Sequence, residues 1–166
     1  LTNSATGNIS TLNGINGYAV IGGAGNETVS NLGTMTGQVD LGGGANSFTN
    51  QSSGLFNSGA AVVLGAGNSF TNKGRFAPGG AGTVMTTTLT GNFVQTSSGV
   101  YLVDVTPTTS AKTVVSGTAN LPGTVPTTFT PGTYVAKSYT ILSSRGRHRT
   151  VANPNPIGLP SAVSVS

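Results

Sequence analysis

Short runs of alternating apolar and polar residues recur along this chain, separated by Gly, Asn and Ser. Alternation with a period of two is typical of β-strands that bury one face. Gly, Asn and Ser provide the positive φ angles or the local hydrogen bonds that tight turns require. The apolar residues do not recur with helical spacing, and Gly or Thr interrupts each candidate segment. The pattern therefore predicts an all-β chain without helices.

A glycine-rich motif that ends in asparagine recurs along the sequence. The clearest copies are 20–26, 39–46 and 62–68, and looser relatives lie at 6–9 and 88–92. The asparagines stand at positions 8, 26, 46, 68 and 92, so their spacing grows from 18 to 24 residues. A repeat of this length indicates a solenoid, in which each coil buries its apolar face by stacking on its neighbours. We predict a right-handed parallel β-helix with a C-terminal β capping region.

Equivalent positions of the repeats predict three continuous rows along the solenoid axis. Two rows are apolar and buried, and the third is a row of asparagines that stack at one corner and bond to the adjacent turns. The glycines around these asparagines also resemble a calcium-binding nonapeptide repeat, but that site needs aspartate and a nine-residue period. The predicted rows are Val29, Phe48, Phe70 and Phe93; Ile21, Leu41, Leu64 and Leu89; and Asn26, Asn46, Asn68 and Asn92.

From about residue 74 the strands become longer and prolines appear. The segments Ala77-Pro78-Gly79-Gly80 through Tyr101-Leu102-Val103-Asp104, Val114-Val115-Ser116-Gly117-Thr118-Ala119, Gly123-Thr124-Val125 and Tyr139-Thr140-Ile141-Leu142 carry a resemblance. Here the chain resembles the passenger region of bacterial autotransporters, the type V secreted proteins, at the end of the β-helix stem and the autochaperone junction. The usual Asp-Arg-Leu before Val114 is replaced by Ala111-Lys112-Thr113, and the match weakens after Ser144.

The resemblance implies a division into a stem of β-helix coils at 1–95, an autochaperone-like cap at 96–142 and a weakly matched, loosely ordered tail at 143–166. It also implies a partner, the C-terminal outer-membrane β-barrel of the same precursor, and a location at the bacterial cell surface or outside the cell, reached through the periplasm and outer membrane. The chain opens without Met or a basic leader, and we interpret it as a segment of a longer precursor.

Charge is scarce, which limits the chemistry that the chain can carry. Charged residues make up 6% of the sequence, the net charge is +4, and there is no cysteine and no apolar run long enough for a membrane helix. Three of the seven cationic residues lie in the segment 145–149, which we interpret as a solvated segment, with contact to an anionic surface such as lipopolysaccharide as the alternative. No basic stripe interleaved with aromatic residues is present, so nucleic-acid binding is not expected.

Residues suited to catalysis are equally few. The only carboxylates are Glu27, Asp40 and Asp104, and the only histidine is His148, among arginines. We expect Glu27 and Asp40 to be isolated on the surface rather than paired for acid–base work on sugars. Asp104 is expected to face solvent, with a hydrogen bond that anchors the cap as the alternative. The sequence predicts no catalytic, cofactor-binding or metal-binding residues and no enzymatic activity.

These observations favour a structural and folding role, in which the cap forms first outside the cell and seeds coil-by-coil growth of the stem. The second interpretation is adhesion to a host glycan or matrix protein through exposed rows of Thr49, Thr71, Asn50 and Asn72. Ice binding by threonine arrays is a third, disfavoured by the drift in coil length. An unpaired N-terminal coil also predicts end-to-end self-association.

Overall fold

The computed structural model describes residues 1–145, 147–153 and 163–165, and in these ranges the chain is built from β-strands with one short 3-10 helix, Gly14–Asn16. The predicted all-β parallel solenoid is confirmed, with about five turns. The strands are β1 Thr2–Asn3, β2 Asn8–Ile9, β3 Tyr18–Ile21, β4 Thr28–Asn31, β5 Thr34–Asp40, β6 Ser47–Asn50, β7 Leu55–Val63, β8 Ser69–Asn72, β9 Arg75–Pro78, β10 Thr86–Thr90, β11 Asn92–Gln95, β12 Val100–Tyr101, β13 Val103–Val105, β14 Lys112–Val115, β15 Ala119–Asn120, β16 Thr127–Phe129, β17 Lys137–Ser144, β18 Arg147–Asn153 and β19 Val163–Val165.

Each coil passes through three strand faces. Face A is a parallel sheet in the order β1-β4-β6-β8-β11-β15. The long strands β5 and β7 pair with each other and each belongs to two faces. The first half of β5 also pairs with β2 and its second half with β3. The first half of β7 also pairs with β9 and its second half with β10. We call the stack of first halves face B, which β12 extends, and the stack of second halves face C, which β14 and β17 extend. The three faces enclose one continuous apolar core.

The growing repeat length is absorbed in the turns and in a bulge within β7, where a register shift against β5 adds two residues, and it does not disturb face A. From β4 to β11 the residues of face A pair one to one without a register shift. The extra residues of the longest repeat lie between β9 and β10, in a turn where Gly79, Gly80 and Gly82 have positive φ. Drift in coil length is therefore no obstacle to a regular strand lattice on this face.

Glycine is required where the coils approach each other at the corner between face C and face A. Gly42 and Gly44 have φ of 68° and 85°, a region that disfavours other residues. A Cβ on Gly42 would lie 1.9 Å from the Gly23 carbonyl oxygen of the neighbouring coil. The repeated glycines at this corner thus permit both the turn and the close stacking.

Parallel stacking continues through the boundary predicted at residue 95. β14 pairs with β10, β15 with β11, and β17 with β14, all in parallel. The pairing becomes antiparallel between β17 and β18, and β18 pairs with β19 in the same way. Of the tail predicted to be loosely ordered, β18 and β19 are described as strands, and the positions of the three prolines at 154, 156 and 160 lie outside the described residues.

Candidate functional site

The predicted phenylalanine row lies in register inside face A. Val29 pairs with Phe48, Phe48 with Phe70, and Phe70 with Phe93. All four side chains are buried. Ring centroids of Phe48 and Phe70 are 4.8 Å apart and those of Phe70 and Phe93 are 5.4 Å apart, the range in which aromatic pairs attract.

A second aromatic row, which the sequence reasoning missed, fills face B opposite the first. Phe56, Phe76 and Tyr101 are in register and fully buried. Their rings alternate with those of the face A row, with edge contacts such as Phe48–Phe56 at 4.9 Å and Phe70–Phe76 at 5.0 Å between centroids. The two rows form one interlocked aromatic column along the axis.

The predicted aliphatic row is wrong in part. Leu41 and Leu64 are buried, whereas Ile21 is 73% exposed and pairs with Asp40 on the outer surface of face C. Leu89 is buried but lies in register with Val62, two positions away from Leu64. The alignment by glycines failed because the glycine turns differ in length. The observed inward row of face C is Val20, Val39, Val62, Leu89 and Val115.

The predicted corner asparagines bond to the backbone of neighbouring coils. Asn46 is the most buried of the four, and its amide bridges the coils on both of its sides. They do not form a single row, since Asn46 precedes the position of Asn92 by one residue in the face A register. The bonds between coils are Ala45 N to Asn26 Oδ1 (2.8 Å), Glu27 N to Asn46 Oδ1 (2.8 Å), Asn46 Nδ2 to Leu64 O (3.1 Å), Asn68 Nδ2 to Gly44 O (3.0 Å), Asn92 Nδ2 to Gly67 O (3.2 Å) and Thr118 N to Asn92 Oδ1 (2.9 Å).

A different set of amides forms a continuous chain of hydrogen bonds inside the solenoid. Each of the first four side chains donates from its nitrogen to the side-chain amide oxygen of the equivalent residue in the next coil, at 2.8 Å, 2.8 Å, 2.9 Å and 3.1 Å. All five residues are at most 5% exposed. We call this set the inner amide ladder: Asn3, Asn31, Asn50, Asn72 and Gln95.

The inner amide ladder also secures the turn between faces A and B. Asn50 Nδ2 donates to the carbonyl oxygens of Gly54 (3.2 Å) and Arg75 (2.9 Å), and Asn72 Nδ2 donates to that of Val100 (3.2 Å). Gln95 ends the ladder by donating to Pro122 O at 2.8 Å. Buried polar groups are costly unless bonded, so this set is tolerated only because its members satisfy one another and the turn carbonyls.

The predicted adhesive surface is wrong in part, because two of its four residues belong to the inner amide ladder. Asn50 and Asn72, expected on the outside, are fully buried. Thr49 and Thr71 do point outward, in register with each other and with Ser30. The outward hydroxyl row of face A is therefore narrower than the sequence suggested.

Each of the three carboxylates accepts a hydrogen bond from the backbone N–H of a glycine in a turn. Glu27 Oε1 accepts a hydrogen bond from Gly23 N at 3.2 Å, and Asp40 Oδ1 accepts one from Gly42 N at 2.9 Å. The expectation that Asp104 faces solvent is wrong, because it is 8% exposed and its Oδ2 accepts a hydrogen bond from Gly82 N at 2.9 Å. That bond ties β13 to the long turn of the preceding coil. Within the described ranges, no three His, Cys, Asp or Glu side chains are grouped as potential metal ligands.

Tyr101 joins the two ends of the predicted cap. Its hydroxyl donates to the Ile141 carbonyl oxygen at 2.7 Å and lies 3.0 Å from Thr113 Oγ1. Burial in the core raises the pKa of Tyr101 well above its ordinary value, and the contact with Thr113 offsets only part of this. The phenol is therefore held neutral as a structural hydrogen-bond donor.

An open polar cleft of about 200 Å³ lies beside β14 and β17. Lys112, Lys137, Tyr139 and five Ser or Thr residues line it. Lys137 Nζ donates to Thr108 O at 3.0 Å and lies 4.6 Å from the centre of the Tyr139 ring. Sequence reasoning did not identify this cleft, since its lining comes from segments about 30 residues apart that only the β14–β17 pairing brings together.

Comparison with known proteins gives no relative, since no family model, curated protein or solved structure matches the chain. In the part of the chain that is described, no helix is long and apolar enough to span a bilayer.

Proposed function

We propose that this chain is a non-catalytic structural segment of a bacterial autotransporter passenger. It forms the stem next to the outer-membrane barrel of the same precursor, and residues 96–142 promote its folding during secretion to the cell surface. The observation that carries the proposal is the uninterrupted interior. In-register aromatic and amide rows continue from coil to coil, so each coil is a template for the next.

The contacts of residues 96–142 support a seeding role. Tyr101 bonds to Ile141 and Thr113 within this segment, and Tyr134 adds hydrogen bonds to the carbonyl oxygens of Val105 and Thr130. The segment thus has hydrogen bonds of its own beyond those of strand stacking. Through β14 and β15 it then offers paired strand edges to β10 and β11 of the preceding coil. Because a solenoid grows by nearest-neighbour contacts, a preformed terminal coil lowers the barrier for the next one.

The functional test is surface display of the chain fused to an autotransporter barrel. Deletion of residues 96–142 should abolish protease-resistant display, because β10 and β11 lose their stacking partners. As a matched control, Thr49→Ala changes an outward side chain and should leave display intact. Display that survives the deletion would contradict the folding role.

The alternative function is adhesion through the outward face A, and the register of Ser30, Thr49 and Thr71 favours it over other surfaces. Hydroxyls at this regular spacing offer donors and acceptors to a host glycan or matrix protein. Cells that display the intact chain should bind such a ligand, and cells that display the Thr49→Ala/Thr71→Ala variant should not. Binding that the double variant retains would exclude this surface.

A further inference from the structure

The cleft beside β14 and β17 contains an ammonium group held in a fixed position. Lys137 Nζ is placed by its hydrogen bond to Thr108 O and by the ring of Tyr139 beneath it. The ring is fixed in turn, because the Tyr139 hydroxyl donates to Pro107 O at 3.0 Å. A lysine that is already ordered loses less conformational entropy when a ligand binds. Lys112 lies on the same cleft and adds a second positive charge.

The charge distribution around the cleft is strongly one-sided. Five of the seven Lys and Arg residues of the chain follow residue 105, and no Asp or Glu does. The carboxylate that comes last in the sequence, Asp104, is buried and occupied with Gly82 N. An anionic ligand therefore meets a positive potential at this end of the chain.

We propose that this cleft binds a sulfate or phosphate ester group of an anionic polysaccharide. The volume of about 200 Å³ is below that of sites that enclose a whole small molecule, about 300–1,000 Å³. It suits one charged substituent, with the sugar chain remaining outside. The two ammonium groups supply charge-assisted hydrogen bonds, and the surrounding hydroxyls supply neutral ones. Both lysines lie within residues 96–142, but neither side chain belongs to the buried rows, so replacing them leaves the β10–β14 stacking of the proposed folding role in place.

The test measures binding of fluorescein-labelled dextran sulfate to the full chain by fluorescence anisotropy at physiological ionic strength. The variant Lys112→Gln/Lys137→Gln should raise the Kd at least tenfold. The matched control Lys73→Gln/Arg75→Gln removes two exposed charges elsewhere and should change the Kd less than threefold. The single variant Lys112→Gln, expected to raise the Kd severalfold, decides the matter if the double variant does not fold by circular dichroism.

Three further probes identify the ligand group. Inorganic sulfate and inorganic phosphate, compared as competitors, distinguish the two esters, and displacement by either supports the proposal. Hyaluronate, whose charges are carboxylates, should bind at least tenfold more weakly than dextran sulfate. Equal loss in the two double variants, equal binding of hyaluronate, or no binding of dextran sulfate would each overturn the proposal. None of these results depends on display, so failure of the stem function remains distinguishable.

Discussion

At the scale of single residues, the inner amide ladder shows how a polar group can stabilise an apolar core. Asn50 accepts a hydrogen bond from Asn31 and donates one to Asn72, while its remaining donor capacity goes to turn carbonyls. A leucine, which has the same number of side-chain heavy atoms, would fill the space but leave the neighbouring amides unpaired. The penalty for such orphaned groups is about 1–3 kcal/mol each, larger than the small gain in apolar burial.

We therefore predict that Asn50→Leu lowers the free energy of unfolding by about 2–4 kcal/mol. Thr49→Ala, one position along the same strand but outward-facing, should change it by less than about 0.5 kcal/mol. Urea denaturation followed by circular dichroism measures both. Similar losses for the two variants would mean that the amide hydrogen bonds contribute nothing beyond the strand itself.

Tyr101 makes a pH-dependent contribution whose sign follows from its burial. The pKa of Tyr101 is raised in the folded chain above the unfolded value of about 10, since the core disfavours the phenolate. Its contribution is complete below pH of about 10 and is lost as pH rises from there towards the folded pKa, at up to about 1.4 kcal/mol per pH unit. Tyr101→Phe should lower stability at pH 8 but flatten the decline between pH 10 and 11 in urea titrations. Tyr18→Phe, at a 44% exposed position, is the control and should retain the wild-type decline.

At the scale of elements, prediction from sequence succeeded where alternation and turn spacing agreed. Phe48 and Phe70 begin identical Phe-Thr-Asn segments, so their strands could be aligned without ambiguity. Ile21 was misplaced because its glycine turn has a different length, and a shift of one residue exchanges the two faces of a strand. Asn50 and Asn72 lie two residues after these phenylalanines and share their inward direction. The two-residue spacing from a buried phenylalanine could have indicated that these asparagines point inward, but polar residues are ordinarily expected on the solvent-facing side of a strand.

Other features of the candidate sites depend on contacts between elements that no local pattern encodes. Asp104 alternates as a solvent-facing strand residue should, yet the turn that contains Gly82 covers it. The cleft lysines, Lys112 and Lys137, line the same cleft because β14 and β17 are stacked in parallel. Local alternation predicts the strands and the phenylalanine row of face A. Turn length and strand pairing determine the other rows and the contacts between distant segments.

For the whole molecule, the direction of folding distinguishes a solenoid that folds from residues 96–142 towards its N-terminus from one whose coils form in no fixed order. Every coil makes similar strand contacts, but the hydrogen bonds of Tyr101 and Tyr134 are concentrated in residues 96–142. If this end forms first, its interactions are present in the folding transition state, and those of the N-terminal coils are not. Destabilisation then slows folding at one end and speeds unfolding at the other.

The matched pair Val115→Ala and Val29→Ala tests this direction, since both valines are inward-facing and at most 4% exposed. We predict that Val115→Ala slows refolding about tenfold for a loss of about 1.5–2 kcal/mol, and that Val29→Ala leaves the refolding rate unchanged and accelerates unfolding instead. Stopped-flow refolding and unfolding in urea give both rates. The reverse assignment of effects would place the nucleus in the N-terminal coils and would contradict the proposed seeding role of residues 96–142.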